Sequence, residues 1–207
     1  APLPAPNVTP TPTPLPVVYT RIFTPTADTT LDSSHWYDNY GINWDVRVRT
    51  QRDQPPVKSI AMRFDLSIIP DYAEVITAEL RLYSKMRTTE DPVNVCLDVY
   101  RLNQQWSESQ ATWDQAMNGA LWAAPGANGI PGDREGTLSA IRCWVQDVDR
   151  WYYVNVRSLA QHWVTYPGQN AGALIKGSGG ASMEYYFISR EAATTGNVPE
   201  LTVTYPL

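Results

Sequence analysis

A chain of 207 residues, 43% of them hydrophobic, has enough apolar material for the core of one domain. No apolar run reaches the ~20 residues that a membrane-spanning helix needs, so membrane insertion is not expected. The formal net charge is −5 and Lys and Arg are scattered through the chain, which argues against nucleic acid as a partner because that requires a basic stripe. The chain begins Ala-Pro-Leu-Pro, as signal peptidase leaves a mature protein, and its wealth of Trp, Tyr, Thr and Pro suits an extracellular or cell-surface β protein.

Residues 1–16, APLPAPNVTPTPTPLP, form a Pro/Thr-rich leader with proline at 2, 4, 6, 10, 12, 14 and 16. In polyproline II such a segment extends about 50 Å, against a radius of gyration near ~16 Å for the domain that follows. Every proline holds an even position. In an extended strand the backbone donors of Leu3, Ala5, Asn7, Thr9, Thr11, Thr13 and Leu15 therefore lie on one edge and the other edge is nearly donor-free. A segment of this kind pairs with a neighbouring sheet on one side only. The competing reading is a stiff secreted linker with Thr9, Thr11 and Thr13 as O-glycosylation candidates. Asn7-Val8-Thr9 is an N-glycosylation sequon followed by Pro10, which disfavours its use.

From Val17 onward the pattern is one of short strands. Residues 17–23 and 27–32 read as strands, and residues 45–49 alternate. The clearest signal is residues 59–83. Ile60, Met62, Phe64 and Leu66 alternate with Ala61, Arg63 and Asp65, then Ala78, Leu80 and Leu82 alternate with Glu79, Arg81 and Tyr83. With Ile69-Pro70-Asp71 between them, these two strands read as a hairpin. Residues 93–101 form a further strand, and the Gly/Ala/Pro-rich residues 116–136 read as a long surface loop. Residues 142–156 are strand-like. One helix is expected from an Asn155 N-cap, with Val156, Leu159, Ala160, Trp163 and Val164 on its apolar face and Pro167-Gly168 ending it. Strands at 173–176, 185–189 and 201–205 close the chain. The expected fold is all-β: a jelly-roll-type antiparallel β-sandwich over residues 17–207, with one short helix.

Candidate chemistry is sparse. Cys96 faces away from the apolar side of its strand, and Cys143 is the one other cysteine; a disulfide between them, or two free thiols, are the alternatives. His162 falls off the apolar face of the helix, and His35 has no evident acidic or nucleophilic partner. No nucleophile elbow, phosphate loop or paired metal-ligand motif is present, so no catalytic residue is assigned and a non-enzyme is expected. Asp28, Asp32 and Asp38, near Asn39 and Asp45, offer the hard oxygens that suit Ca²⁺, but acidic loop residues also serve as turn formers, and no cofactor is assigned. Trp36, Tyr37, Tyr40 and Trp44 cluster in one loop, and Trp144, Trp151, Tyr152 and Tyr153 in another region. Such rings stack on sugars or anchor protein interfaces.

Several blocks together resemble the DNRLRE-type domains, secreted jelly-roll modules related to disaggregatase and to carbohydrate-binding modules. They are Ala27-Asp28-Thr29, Asn39-Tyr40-Gly41, Arg63-Phe64-Asp65-Leu66-Ser67, Thr77-Ala78-Glu79-Leu80-Arg81-Leu82-Tyr83, Trp106-Ser107-Glu108, Thr112-Trp113, Trp163-Val164, Ser189-Arg190-Glu191 and Pro199-Glu200-Leu201-Thr202-Val203. The resemblance implies a β-sandwich that acts outside the cell without catalysing a reaction, and places Trp106, Trp113 and Trp163 in its core. The leader, and an apparent insertion at residues 142–150, depart from the pattern. From the leader's register the expected function is a structural subunit that self-associates head to tail into a filament, each leader packing on the next sandwich. The alternative expectation is a module that binds an extracellular polysaccharide.

Overall fold

The computed structural model describes residues 17–50, 57–89, 95–144, 147–179 and 182–207. The leader, with its pairing edge Leu3 to Leu15 and its glycosylation candidates Asn7, Thr9, Thr11 and Thr13, lies outside the described residues.

The strands are β1 (Val18–Phe23), β2 (Ala27–Asp32), β3 (Asp45–Thr50), β4 (Lys58–Arg63), β5 (Thr77–Thr89), β6 (Val95–Arg101), β7 (Gln115–Met117), β8 (Ala120–Leu121), β9 (Ala140–Trp144), β10 (Arg150–Asn155), β11 (Ala173–Ser178), β12 (Met183–Ile188) and β13 (Glu200–Pro206). A single α-helix among the described residues, α1, spans Arg157–Thr165. The main sheet is antiparallel and runs β1-β13-β5-β12-β3-β4-β11-β6-β9, with β10 also paired to β5 and β2 to β4. The long β5 serves several neighbours along its length: residues 77–81 pair with β13, residues 79–84 with β10, and the later residues with β12. The sheet curls into an all-β sandwich around one core, which takes Ile60 and Met62 from β4, Leu80 and Leu82 from β5, and Leu159, Ala160, Trp163 and Val164 from α1.

Residues 59–83 are not a hairpin. β4 and β5 do not pair, and β12 and β3 stand between them in the sheet. Alternation assigns each strand a buried face but names no partner. The connection decides the matter, because Phe64, Leu66, Ile69, Ala73 and Val75 are all buried in the main core. A stretch that sends five side chains into the core while Ile68, Tyr72 and Ile76 stay exposed runs along the edge of that core as a long connection rather than as a tight turn.

Residues 116–136 are not a surface loop either. Ala116, Trp122 and Ala127 join Trp106, Ala111 and Trp113 in a second core laid against the outer side of β2, β4 and β11, where Ala27, Leu31, Ala61 and Leu174 meet it. These strands therefore bury both faces, and β2 is buried along its whole length. Small residues make this packing feasible: a Cβ at Gly126 would lie 2.4 Å from the Trp113 ring. The fully buried Asp133 organises the segment by accepting the N–H groups of Ala123 (2.7 Å), Ala124 (3.0 Å) and Gly129 (2.7 Å). Trp106, Trp113 and Trp163 are core residues.

The strand-like residues 142–156 resolve into β9 and β10. Asn155 is not the N-cap. It is the last residue of β10, and Val156 holds the cap position. Asn155 Oδ1 nevertheless accepts the Arg157 N–H at 3.1 Å, so the side chain satisfies a first-turn donor from one position earlier.

Across β2, β4 and β12 lies a buried charge network. Lys58 Nζ is 2.8 Å from Glu184 Oε1 and 3.3 Å from Asp32 Oδ2. Replacing Lys58 with Met would remove the ammonium that these two buried carboxylates share, leaving Glu184 to Arg47 and Arg49, at 3.6 and 3.5 Å, and Asp32 to the Ser34 N–H and His35. A loss of about 3 kcal/mol is expected, read as a lower urea midpoint at unchanged m-value. A midpoint equal to wild type would mean that the ammonium is not what holds these carboxylates.

Candidate functional site

The aromatic candidates separate into two places. In residues 33–44, Trp36, Tyr37 and Trp44 are 46%, 80% and 49% exposed. The loop beneath them is pinned by its backbone and by Asn39. Asn39 Nδ2 donates to the carbonyls of Glu108 and Ala111, both at 2.7 Å, and the Trp36 and Trp44 carbonyls accept the N–H groups of Asp114 and Ser189. Tyr40 is turned inward. Its hydroxyl lies 3.5 Å from Asp32 Oδ2, and burial, with the Asp32 charge beside it, pushes its pKa up to about 12.

The second place is a groove of about 450 Å³ between β9 and β10, lined by Arg142, Trp144, Asp147, Arg150, Trp151, Tyr152 and Tyr153. Alternation along β10 turns Tyr152 and Val154 into the core and leaves Trp151 and Tyr153 outward. Trp144, expected as a contact residue, is instead the floor. It is 8% exposed and packs 4.2 Å from the Tyr152 ring and 5.3 Å from Tyr185. Trp151 stands at the rim, edge-on to Tyr83 (5.2 Å), with the Arg81 guanidinium 4.4 Å over its ring. Glu200 fixes that guanidinium at 2.6 Å.

Polar groups converge on the same groove. Arg150 pairs with Asp147, whose carbonyl accepts the Tyr152 hydroxyl at 2.7 Å. Burial, with Tyr185 alongside, pushes the Tyr152 pKa up to about 12, so the hydroxyl keeps its proton as a donor. Arg142 is exposed and has no acidic partner among the described residues. Between Arg142 and Trp144 sits Cys143, joined to Cys96 by a disulfide with an S–S distance of 1.95 Å. That bond ties β9 to β6 and holds the groove wall in register. Arg81 and Tyr83 were not candidates from sequence. Their signal was outward alternation in β5, but only the pairing of Trp151 with Tyr83 and of Tyr153 with Arg81 brings them to the groove.

The remaining candidates do not assemble as expected. Asp28, Asp32 and Asp38 form no common cation site. Asp32 is engaged by Lys58 and by His35 Nδ1 at 3.2 Å, which gives His35 the acidic partner that the sequence did not suggest. Burial works against charge on Asp32, yet the Ser34 N–H and Lys58 hold its carboxyl below the usual range. Asp28 faces Glu108 and Glu191, its oxygens within 4.8 Å of theirs. His162 is half-buried against Arg101, and burial together with that guanidinium lowers its pKa. Among the described residues no helix is long and apolar enough to cross a membrane.

The family model of carbohydrate-binding module family 96 matches residues 19–124, from β1 through the aromatic loop and the second core; the β9–β10 groove lies beyond that span but is built against β5, which lies within it. The match bears on the carbohydrate-binding side of the sequence resemblance, not on its DNRLRE-type or disaggregatase side. No curated protein matches the chain.

Proposed function

The chain belongs to carbohydrate-binding module family 96, and from that premise we propose that it binds an extracellular polysaccharide in the groove between β9 and β10, holding the sugar without chemically altering it. The observation that carries the location is the convergence, in one concavity, of outward rings with side chains that bond hydroxyls. Trp151 and Tyr153 offer apolar edges and faces, and Arg142, Arg150, Asp147 and the Tyr152 hydroxyl offer polar partners. Rings of this kind cover the apolar C–H faces of a pyranose while the polar groups fix its orientation. The loop bearing Trp36, Tyr37 and Trp44 exposes rings too, on a different part of the chain.

Affinity electrophoresis through gels containing neutral and charged polysaccharides tests the reading. Retardation by at least one polymer, reversed by its own oligosaccharide, is expected. Unchanged mobility across the whole panel would overturn it.

A second reading keeps self-association. Among the described residues β1 sits at the end of the sheet, paired on one edge only, and nearly all of it is exposed, including Val18 and Ile22. An edge strand of this kind can accept a further strand from a second copy. Filaments seen by electron microscopy that vanish on deletion of residues 1–16 would support it, whereas an unchanged monomer in both forms would dismiss it.

A further inference from the structure

We propose that Asp28, Glu108 and Glu191 form a binding site for one divalent cation of the hard, oxygen-seeking kind, Ca²⁺ foremost, which clamps β2 to the turn after Trp106 and the turn after β12. One carboxylate oxygen from each of the three residues lies within 4.8 Å of the others. Asp28 is 1% exposed. Its Oδ2 accepts the Arg190 N–H at 2.9 Å, but its Oδ1 is shut off from water and has no donor among the described residues. A buried carboxylate oxygen with nothing to bond is costly, and a cation supplies the missing partner.

The local charge supports the same ion. Glu108 Oε1 accepts the Asp28 N–H at 2.8 Å, and its Oε2 accepts from Arg190 Nη1 at 2.6 Å, which is also 3.5 Å from Glu191 Oε1. Three carboxylates against one guanidinium leave two negative charges, which one divalent ion neutralises. The ligands are all oxygens, as Ca²⁺ and Mg²⁺ require, and Glu191 at the exposed rim leaves room for the water ligands that complete a flexible Ca²⁺ shell. Burial, opposed by the Arg190 N–H and reinforced by Glu191 and Glu108, raises the Asp28 carboxyl well above its usual range. Above the site, Gly41 packs on the Glu108 backbone and Ser189 bonds the Asn43 carbonyl, so the ion would lie beneath the loop that carries Trp36 and Trp44.

The test uses the full chain stripped with chelator and titrated with CaCl₂ alone at pH 7.5, followed by calorimetry and thermal unfolding. Saturable one-site binding is expected, with a Tm rise of roughly 3–6 °C at tenfold over Kd. Glu191→Gln should abolish both signals while the chelated protein still unfolds cooperatively, and Glu79→Gln, on the exposed face of β5, should leave both intact. Absence of heat and of any Tm shift at millimolar Ca²⁺ would overturn the proposal. A Tm shift undiminished in Glu191→Gln would overturn it as well. No sugar enters the measurement, so its outcome is independent of polysaccharide binding.

Discussion

Trp151→Ala is expected to weaken retention by the cognate polysaccharide at least ~30-fold, the loss of about 2 kcal/mol that marks an aromatic anchor at the centre of a contact. Trp151 is the ring at the groove rim, with one side covered by Arg81 and its edge held by Tyr83. That support keeps the indole in place before a sugar arrives, so little side-chain entropy is lost on binding. The side chain projects outward from β10, so its removal should lower Tm by only a few degrees. Trp36→Ala and Trp44→Ala provide the contrast. If either of these abolishes retention while Trp151→Ala leaves it intact, the sugar lies on the loop at residues 33–44 and the groove assignment is wrong.

Removing the disulfide is expected to have the largest effect on stability. Cys96 and Cys143 are 47 positions apart, and closing a loop of that size constrains the unfolded chain by about 4 kcal/mol on the chain-entropy account. For a domain of this size that corresponds to a fall in Tm of roughly 8–16 °C in the Cys96→Ser/Cys143→Ser double variant. The bond also fixes β9, which among the described residues pairs with β6 alone and carries Arg142 and Trp144 into the groove. Polysaccharide retention should therefore weaken in the same variant below its Tm, where the rest of the sandwich remains folded. A Tm within 2 °C of wild type would mean that the β6–β9 ladder alone holds this edge.

Strands were legible where one face meets the core and the other meets water. β13 lies where its alternation places it, and α1 follows its 3.6-residue period. The reading failed where a segment serves two layers. Residues 116–136 look like loop because glycine, alanine and proline lower local propensity, but those small residues are what let the backbone close over Trp113 and Trp122. Trp144 and Trp151 are alike in sequence, only seven positions apart. One became floor and the other rim through their places on β9 and β10, strands that pair with β6 and with β5 respectively.

The sequence by itself determined the all-β class, the helix, and the two cysteines as a candidate pair, because local periodicity and residue chemistry need no knowledge of neighbours. Partnership was decided only in three dimensions. β4 and β5 share a core without sharing a hydrogen bond. Asp28 finds its acidic neighbours at Glu108 and Glu191, distant in sequence, rather than at nearby Asp32 and Asp38. The groove takes its rim from β10 and its supporting guanidinium from β5. Each of these contacts closes a long loop, and the entropy of that closure is recovered from burial shared across the whole sandwich, which no local pattern of residues encodes.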